Sequence, residues 1–144
     1  MLVTCAAMSE AEARFFADRS PEPWMDEAGR LCAAAILDFL PGPARAEVFC
    51  GKGNNGGDAL VVARWLKRQG WGVTLHFAGS LSELGRKKLA EYEAEGESAT
   101  AGELRARPLV LVDGLLGIGA KGDLRGPMRE LAAEMIREKV FYRL

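Results

Sequence analysis

The stretch that decides the fold is Ala46-Glu47-Val48-Phe49-Cys50, then Gly51-Lys52-Gly53-Asn54-Asn55-Gly56-Gly57-Asp58, then Ala59-Leu60-Val61-Val62-Ala63-Arg64-Trp65-Leu66-Lys67-Arg68-Gln69-Gly70. The first five residues are a short β-prone run and read as a buried strand. The next eight read as a tight glycine-rich loop. From Ala59 to Gln69 the spacing is helical, with Leu60, Ala63 and Leu66, or Val62 and Trp65, facing inward, and Gly70 is the stop. Downstream the alternation continues. Val73–Phe77 reads as a second strand, 82–95 as a charged helix lying on the surface, and Leu109–Val112 as a uniformly apolar third strand. Asp113 closes that strand and a second glycine loop comes after it. Pro127 opens a helix to about Glu138, and Val140–Tyr142 reads as a short fourth strand. Upstream, Ser9-Glu10-Ala11-Glu12 reads as a capping box for a helix to about Ala17. Pro21 and Pro23 start a second helix whose apolar residues Ala28, Leu31, Cys32, Ala35, Ile36 and Phe39 recur at helical spacing, and Pro41-Gly42-Pro43 ends it. Strands alternating with helices predict an α/β fold with a doubly wound, mainly parallel sheet. Ligands of such sheets bind at strand carboxyl ends, where both glycine loops lie, so both loops line one crevice.

Composition narrows the function. The chain has 144 residues, 19 Lys+Arg against 20 Asp+Glu, and a net charge of -1. That length predicts one domain. The near-neutral charge argues against a protein built to hold nucleic acid. No apolar run approaches the roughly 18 residues of a membrane span, and Met1–Ala7 lacks the pattern of a secretory signal. Cys5, Cys32 and Cys50 are odd in number and far apart, which predicts reduced thiols in a cytoplasmic protein. Glycine is in excess, 17 residues, about 12% against a usual 7%. Four fall in Gly51–Gly57 and five in Gly114–Gly126, which places them in loops where backbone comes close to something.

The first loop has neither the G-x-G-x-x-G spacing nor a G-K-[ST] ending. Its glycines let backbone approach a phosphate at a helix start, and Asn54 and Asn55 offer amide oxygens and N–H groups to a ligand. Equally, Asn-Asn-Gly-Gly is a turn needing left-handed residues, and Asp58 is a carboxylate placed to favour a helix N-terminus. Asp113 is either a general acid/base or cation ligand in the crevice, or the cap of its own turn. Lys121 and Arg125 are phosphate contacts or solvated charges. His76, the single histidine, reads as packed in its strand, Cys50 as a small buried residue, and Trp24, Trp65 and Trp71 as core.

Three blocks in order carry a resemblance. Cys50–Arg64 resembles the G-x-G-N-N-G-G-D-G-L-x-x-A-R signature of the NAD(P)H-hydrate epimerases, the YjeF N-terminal domain family. Val112–Gly119 with Gly122 and Leu124-Arg125-Gly126-Pro127 is similar to its second block. Met25-Asp26-Glu27-Ala28-Gly29-Arg30 is similar to its M-E-N-A-G-R helix. The resemblance implies a Rossmann-like three-layer αβα domain, over 1–144 and incomplete at the C-terminus, and a homodimer. It implies an isomerase that interconverts the R and S forms of NADHX and NADPHX, with a separate ADP- or ATP-dependent dehydratase as functional partner. By position, Asn54, Asn55, Gly56, Gly57 and Asp58 contact the hydrated cofactor. Gly117, Ile118, Gly119, Ala120, Lys121, Gly122 and Asp123 cradle its phosphates. Asn55 and Asp113 ligate potassium, and Asp113 is the expected acid/base for scrambling C6 of the damaged ring.

Lys52 replaces a frequent Pro of the family, Ala59 a Gly, Glu27 an Asn and Ile118 a Thr. The family's later V-D-[IV]-P-S-G strand has no counterpart before Leu144, which predicts an incomplete site and an open sheet edge. Two other readings fit the same residues. One is a non-catalytic binding or dimerisation module of this fold, and the other is a flavodoxin-like module for another nucleotide.

Overall fold

A computed structural model describes residues 2–97, 99 and 104–137. The elements run α1 (Cys5–Phe15), α2 (Glu22–Phe39), β1 (Arg45–Cys50), α3 (Asn54–Arg68), β2 (Gly72–Phe77), α4 (Glu83–Glu93), β3 (Leu109–Gly114) and α5 (Pro127–Arg137). The expected fourth strand, Val140–Tyr142, lies outside the described residues.

The sheet is parallel with strand order β2-β1-β3. Period-two alternation along β1 sorts its side chains onto two faces. Ala46, Val48 and Cys50 join Leu60, Ala63, Leu66 and Trp71 in the larger core. Phe49 joins Ala78 and Leu115 on the other face, under Leu131, Ala132 and Met135 of α5. Three layers result, as expected of a Rossmann-like α/β domain. The chain leaves β1 for β2 on one side, then crosses back to β3 on the other. The carboxyl ends of β1 and β3 therefore meet at the point where strand order reverses, which is where open α/β sheets hold ligands.

Several expectations need correction. The first helix begins at Cys5, because Thr4 is the cap and its hydroxyl accepts from Ala7 N–H at 3.2 Å; Ser9–Glu12 lies inside it. The third helix begins at Asn54, because extended Gly53 is its N-cap and Gly56 N–H reaches Gly53 O at 3.1 Å. The loop proper is only Gly51–Gly53. No residue from Asn54 to Asp58 has a positive φ, so the left-handed turn reading of Asn-Asn-Gly-Gly is wrong. Of the predicted face of the second helix, only Ile36 packs on the core. Met25, Gly29 and Ala33 are buried, whereas Leu31 is 53% and Phe39 52% exposed. Glycine decides this: a Cβ at Gly29 would come within 2.6 Å of Val61 Cγ1, so α2 lies close on α3 along its small-residue face. Trp71 is core, but Trp24 is half-exposed at the surface.

The charged helix α4 is not simply a solvated one. Ser82 caps it, accepting from Gly85 N–H at 3.1 Å. It docks on α3 through Arg64, which bonds Glu91 and Glu95 at 2.6 Å each. Hydrogen bonds from Arg68 and then Arg64 hold the Glu95 carboxyl down at about 2. Lys88 is buried, with its ammonium 2.6 Å from Asp26 and 2.9 Å from Glu22 at the start of α2.

Candidate functional site

The site arises from the close approach of two backbones. Gly51 N–H donates to Gly114 O at 2.9 Å, extending the β1–β3 pairing past the strand ends. Glycine side chains alone leave room for this approach. A Cβ at Gly51 would collide with Leu115 O, one at Gly56 with Gly51 O, and one at Gly114 with Ala59 Cβ and Asn55 O. The start of α3 is thereby wedged against both strand ends. Asn55 Nδ2 donates to Leu116 O at 2.8 Å and ties the helix to the second glycine loop.

A cavity of about 960 Å³ opens at this junction, near the upper end for small-molecule sites and large enough for a dinucleotide-sized ligand. Of the residues expected to form the site, it gathers Asn54, Asn55, Asp58, Gly117, Ile118, Gly119 and Ala120. It does not gather Gly56 and Gly57, which are buried beneath as packing positions; a Cβ at Gly57 would lie 2.6 Å from Met25 Sδ. Lys121, Gly122 and Asp123 continue the exposed loop beyond the lining. Asp113 is exposed at the end of β3, outside the lining, and its carboxylate accepts from Leu115 N–H at 3.0 Å.

A second wall, outside the expected site residues, closes the cavity. Ser9, Glu12 and Phe16 come from α1 and its end, and Trp24, Met25 and Ala28 from α2. Met25 and Ala28 belong to the Met25–Arg30 block of the resemblance, which does not mark them as lining, and α1 has no buried face whose periodicity would mark it. The ionisable groups on the lining are Glu12, Lys52 and Asp58. Burial first, and then the charge of Glu12, push the Asp58 carboxyl up to about 6. Cys50, buried beneath the loop, is held as a thiol by burial, which pushes it up to about 12. His76 stacks on Phe49 with ring centroids 4.6 Å apart, away from the lining. Among the described residues, no three His, Cys, Asp or Glu side chains gather as a metal cluster.

Comparison with known proteins bears on these same residues. The model of the YjeF-related protein N-terminus family matches residues 21–142, which include both glycine segments and the α2 wall. The chain belongs to this family. Among curated relatives, this YjeF-related domain is 42% identical over 130 residues to a bifunctional NAD(P)H-hydrate repair enzyme of Salinibacter ruber, covering 74% of the chain and 24% of the relative. It is 39% identical over 117 residues to an NAD(P)H-hydrate epimerase of Rhodopirellula baltica, covering 74% and 47%. An NAD(P)H-hydrate epimerase of Rhodobacter capsulatus is 37% identical over 114 residues, covering 71% and 54%. The aligned part of the domain thus spans from a quarter to about half of these relatives. The crystal structure of yeast ynu0, YNL200c, shares the fold, with a TM-score of 0.79 at 20% identity over 97% of this chain and 67% of that one.

Proposed function

We propose that this domain is an NAD(P)H-hydrate epimerase, interconverting the R and S forms of NADHX and NADPHX. The observation that carries the reading is the joining of the Asn54–Asp58 helix start and the Leu115–Ala120 loop into one dinucleotide-sized cavity. The relatives named for this activity support it. Gly53 offers no side-chain cap, so no side chain covers the N–H groups that open α3 ahead of Gly56, and such groups suit an anionic ligand. The phosphates lie along Gly117–Asp123, and the damaged ring lies towards Asp58.

Asn55 and Asp113 fit a potassium ion by their chemistry. Asn55 commits its amide nitrogen to Leu116 O, leaving its oxygen to coordinate. Asp113 uses one carboxylate oxygen on Leu115 N–H and keeps the other. Oxygen donors of this kind suit a hard cation, and a bound ion supplies positive charge beside the phosphates. The resemblance gives Asp113 the acid/base role for the C6 hydroxyl as well, but a carboxylate outside the cavity lining suits the ion better than the proton transfer. The bifunctional repair relatives support a second repair activity coupled to this one; the resemblance makes it the ADP- or ATP-dependent dehydratase that consumes the product. The three unpaired thiols suit a cytoplasmic location. The test monitors exchange between R- and S-NADPHX by chromatography, with and without potassium. Exchange that potassium accelerates is expected; ligand binding without exchange refutes the enzyme reading.

The domain also functions as a homodimer through the outer face of α2. Leu31 and Phe39 are half-exposed there beside exposed Ala28, Cys32 and Ala35. Sedimentation velocity should give twice the single-chain mass for the wild type, and one chain mass for Leu31→Glu. Single-chain mass for the wild type at all concentrations excludes this interface.

A further inference from the structure

Any exchange at C6 of the hydrated ring needs a group that removes and returns the proton of its hydroxyl. Asp113 stands outside the cavity lining, with one carboxylate oxygen already engaged. Asp58 differs on each count. It projects from the first turns of α3 into the cavity, is partly shielded from solvent, and has no hydrogen bond or ion pair within the described part of the molecule. Its main-chain oxygen sits against Gly29 of α2, where an added Cβ would lie 3.0 Å away, so the helix carrying it is fixed. The remaining ionisable groups on the lining are Glu12 of α1 and Lys52 of the β1–α3 loop; the lining residues from α2 and the Leu115–Ala120 loop carry none.

We propose that Asp58 is a catalytic base for the epimerisation, and that Glu12, facing it across the cavity, is the positioning residue that tunes it. The inference rests on the epimerase reading of the same site. In the step assigned to Asp58, its carboxylate takes the proton of the C6 hydroxyl. The C6 oxygen becomes a carbonyl as the C6–N bond breaks, and that electron pair moves onto the ring nitrogen, which is conjugated to the carboxamide-bearing double bond. Rotation of the freed aldehyde presents its other face. The nitrogen adds back to C6, and Asp58 returns the proton to the oxygen. Atoms and charge balance without water or a co-reactant.

Shielding by the cavity walls and the opposing Glu12 charge raise the Asp58 carboxyl to about 6. A base in that range is ionised at neutral pH and still basic enough to accept the proton, the compromise expected of efficient proton transfer. Glu12 lies on an exposed helix with no buried residue, so replacing it tests electrostatics without disturbing the core.

The experiment measures epimerisation against pH for the wild type, Asp58→Asn and Glu12→Gln, together with carbon-13 NMR titration of the side-chain carboxyls. The wild-type rate should rise with pH through about 6, and the Asp58 carboxyl should titrate in the same range. Asp58→Asn should lower kcat about 10²–10⁴-fold with KM changed only a few-fold. Glu12→Gln should move both the rising limb and the NMR titration to lower pH, which a purely structural role for Glu12 does not produce. Full activity in a folded Asp58→Asn chain, or an Asp58 titration in the ordinary carboxylate range near 3.9, overturns the proposal. A wild-type chain inactive at every pH overturns the epimerase reading itself, and this role with it.

Discussion

Gly56→Ala is expected to destabilise the domain by about 3 kcal/mol, at the upper end of overpacking costs, although alanine for glycine in a helix ordinarily stabilises by roughly 1 kcal/mol. The sign is reversed by what the new methyl group meets. A Cβ at Gly56 would lie well inside 3.0 Å of Gly51 O, and 3.0 Å from Gly51 C and N. These are main-chain atoms, and Gly51 cannot retreat: its N–H is bonded to Gly114 O, and its own Cα faces Leu115 O. Relief therefore requires moving the start of α3 away from both strands, opening the floor of the cavity. Two neighbours serve as controls. A Cβ at Gly57 meets only the Met25 thioether, at 2.6 and 2.7 Å, and a flexible end can turn aside, so Gly57→Ala should cost distinctly less. Gly53 has nothing within 4 Å of an added Cβ, so Gly53→Ala should cost only the roughly 1 kcal/mol by which alanine is the poorer N-cap. Urea denaturation orders the three. A Gly56→Ala chain at or above wild-type stability would show that the helix start is not wedged against the strands.

The same glycines show what the sequence does and does not disclose. The β1–α3–β2 unit is legible because β1 is a short apolar run, α3 carries a long helical period, and Gly70 ends it with a φ of +78°. What Gly56 and Gly57 do is not legible: a glycine at a ligand surface and one beneath it look alike until the partner backbone is placed. The face of α2 is misread for a related reason. Its most apolar stripe, through Leu31 and Phe39, is the larger by side-chain bulk, but α3 selects the face where Gly29 and Ala33 permit the closest approach. In the site, Asp113 attracts notice because it ends an apolar strand, whereas Asp58 gains its environment from Glu12, which is 46 residues earlier. No local pattern links those two carboxylates; only the packing of α1 over the cavity does.

Lys88→Met is the second substitution with a large expected effect, again about 3 kcal/mol of destabilisation, the lower end of the cost of breaking a buried ion pair. Lys88 is 1% exposed, and its ammonium meets Asp26 at 2.6 Å, Glu22 at 2.9 Å and Glu91 at 3.2 Å. Burial alone would lower its pKa, but hydrogen bonds to Asp26, Glu22 and Glu91 outweigh that and hold it above the ordinary lysine value. Methionine keeps the buried stem and removes the charge, so the loss reports electrostatics rather than a cavity. Asp26 then loses its cation, and Glu22 and Glu91 keep only Lys87 and Arg64; these remaining cations and partial hydration keep the cost from the upper end. The pH dependence separates this from a packing defect. In the wild type, hydrogen bonds from Lys87 and then Lys88 hold Glu22 below its ordinary 4.5. That stabilisation is present above 4.5 and disappears as pH falls through the depressed value, so the deficit of Lys88→Met should shrink in acid. A deficit constant from pH 7 to pH 3 contradicts the charge account. The consequence for the site comes from position. Glu22 and Asp26 flank Trp24 and Met25 on the cavity wall, so releasing them loosens that wall without touching Asp58 or Asp113. Lys88→Met should therefore raise KM several-fold while changing kcat little, because what is lost is binding shared by ground state and transition state.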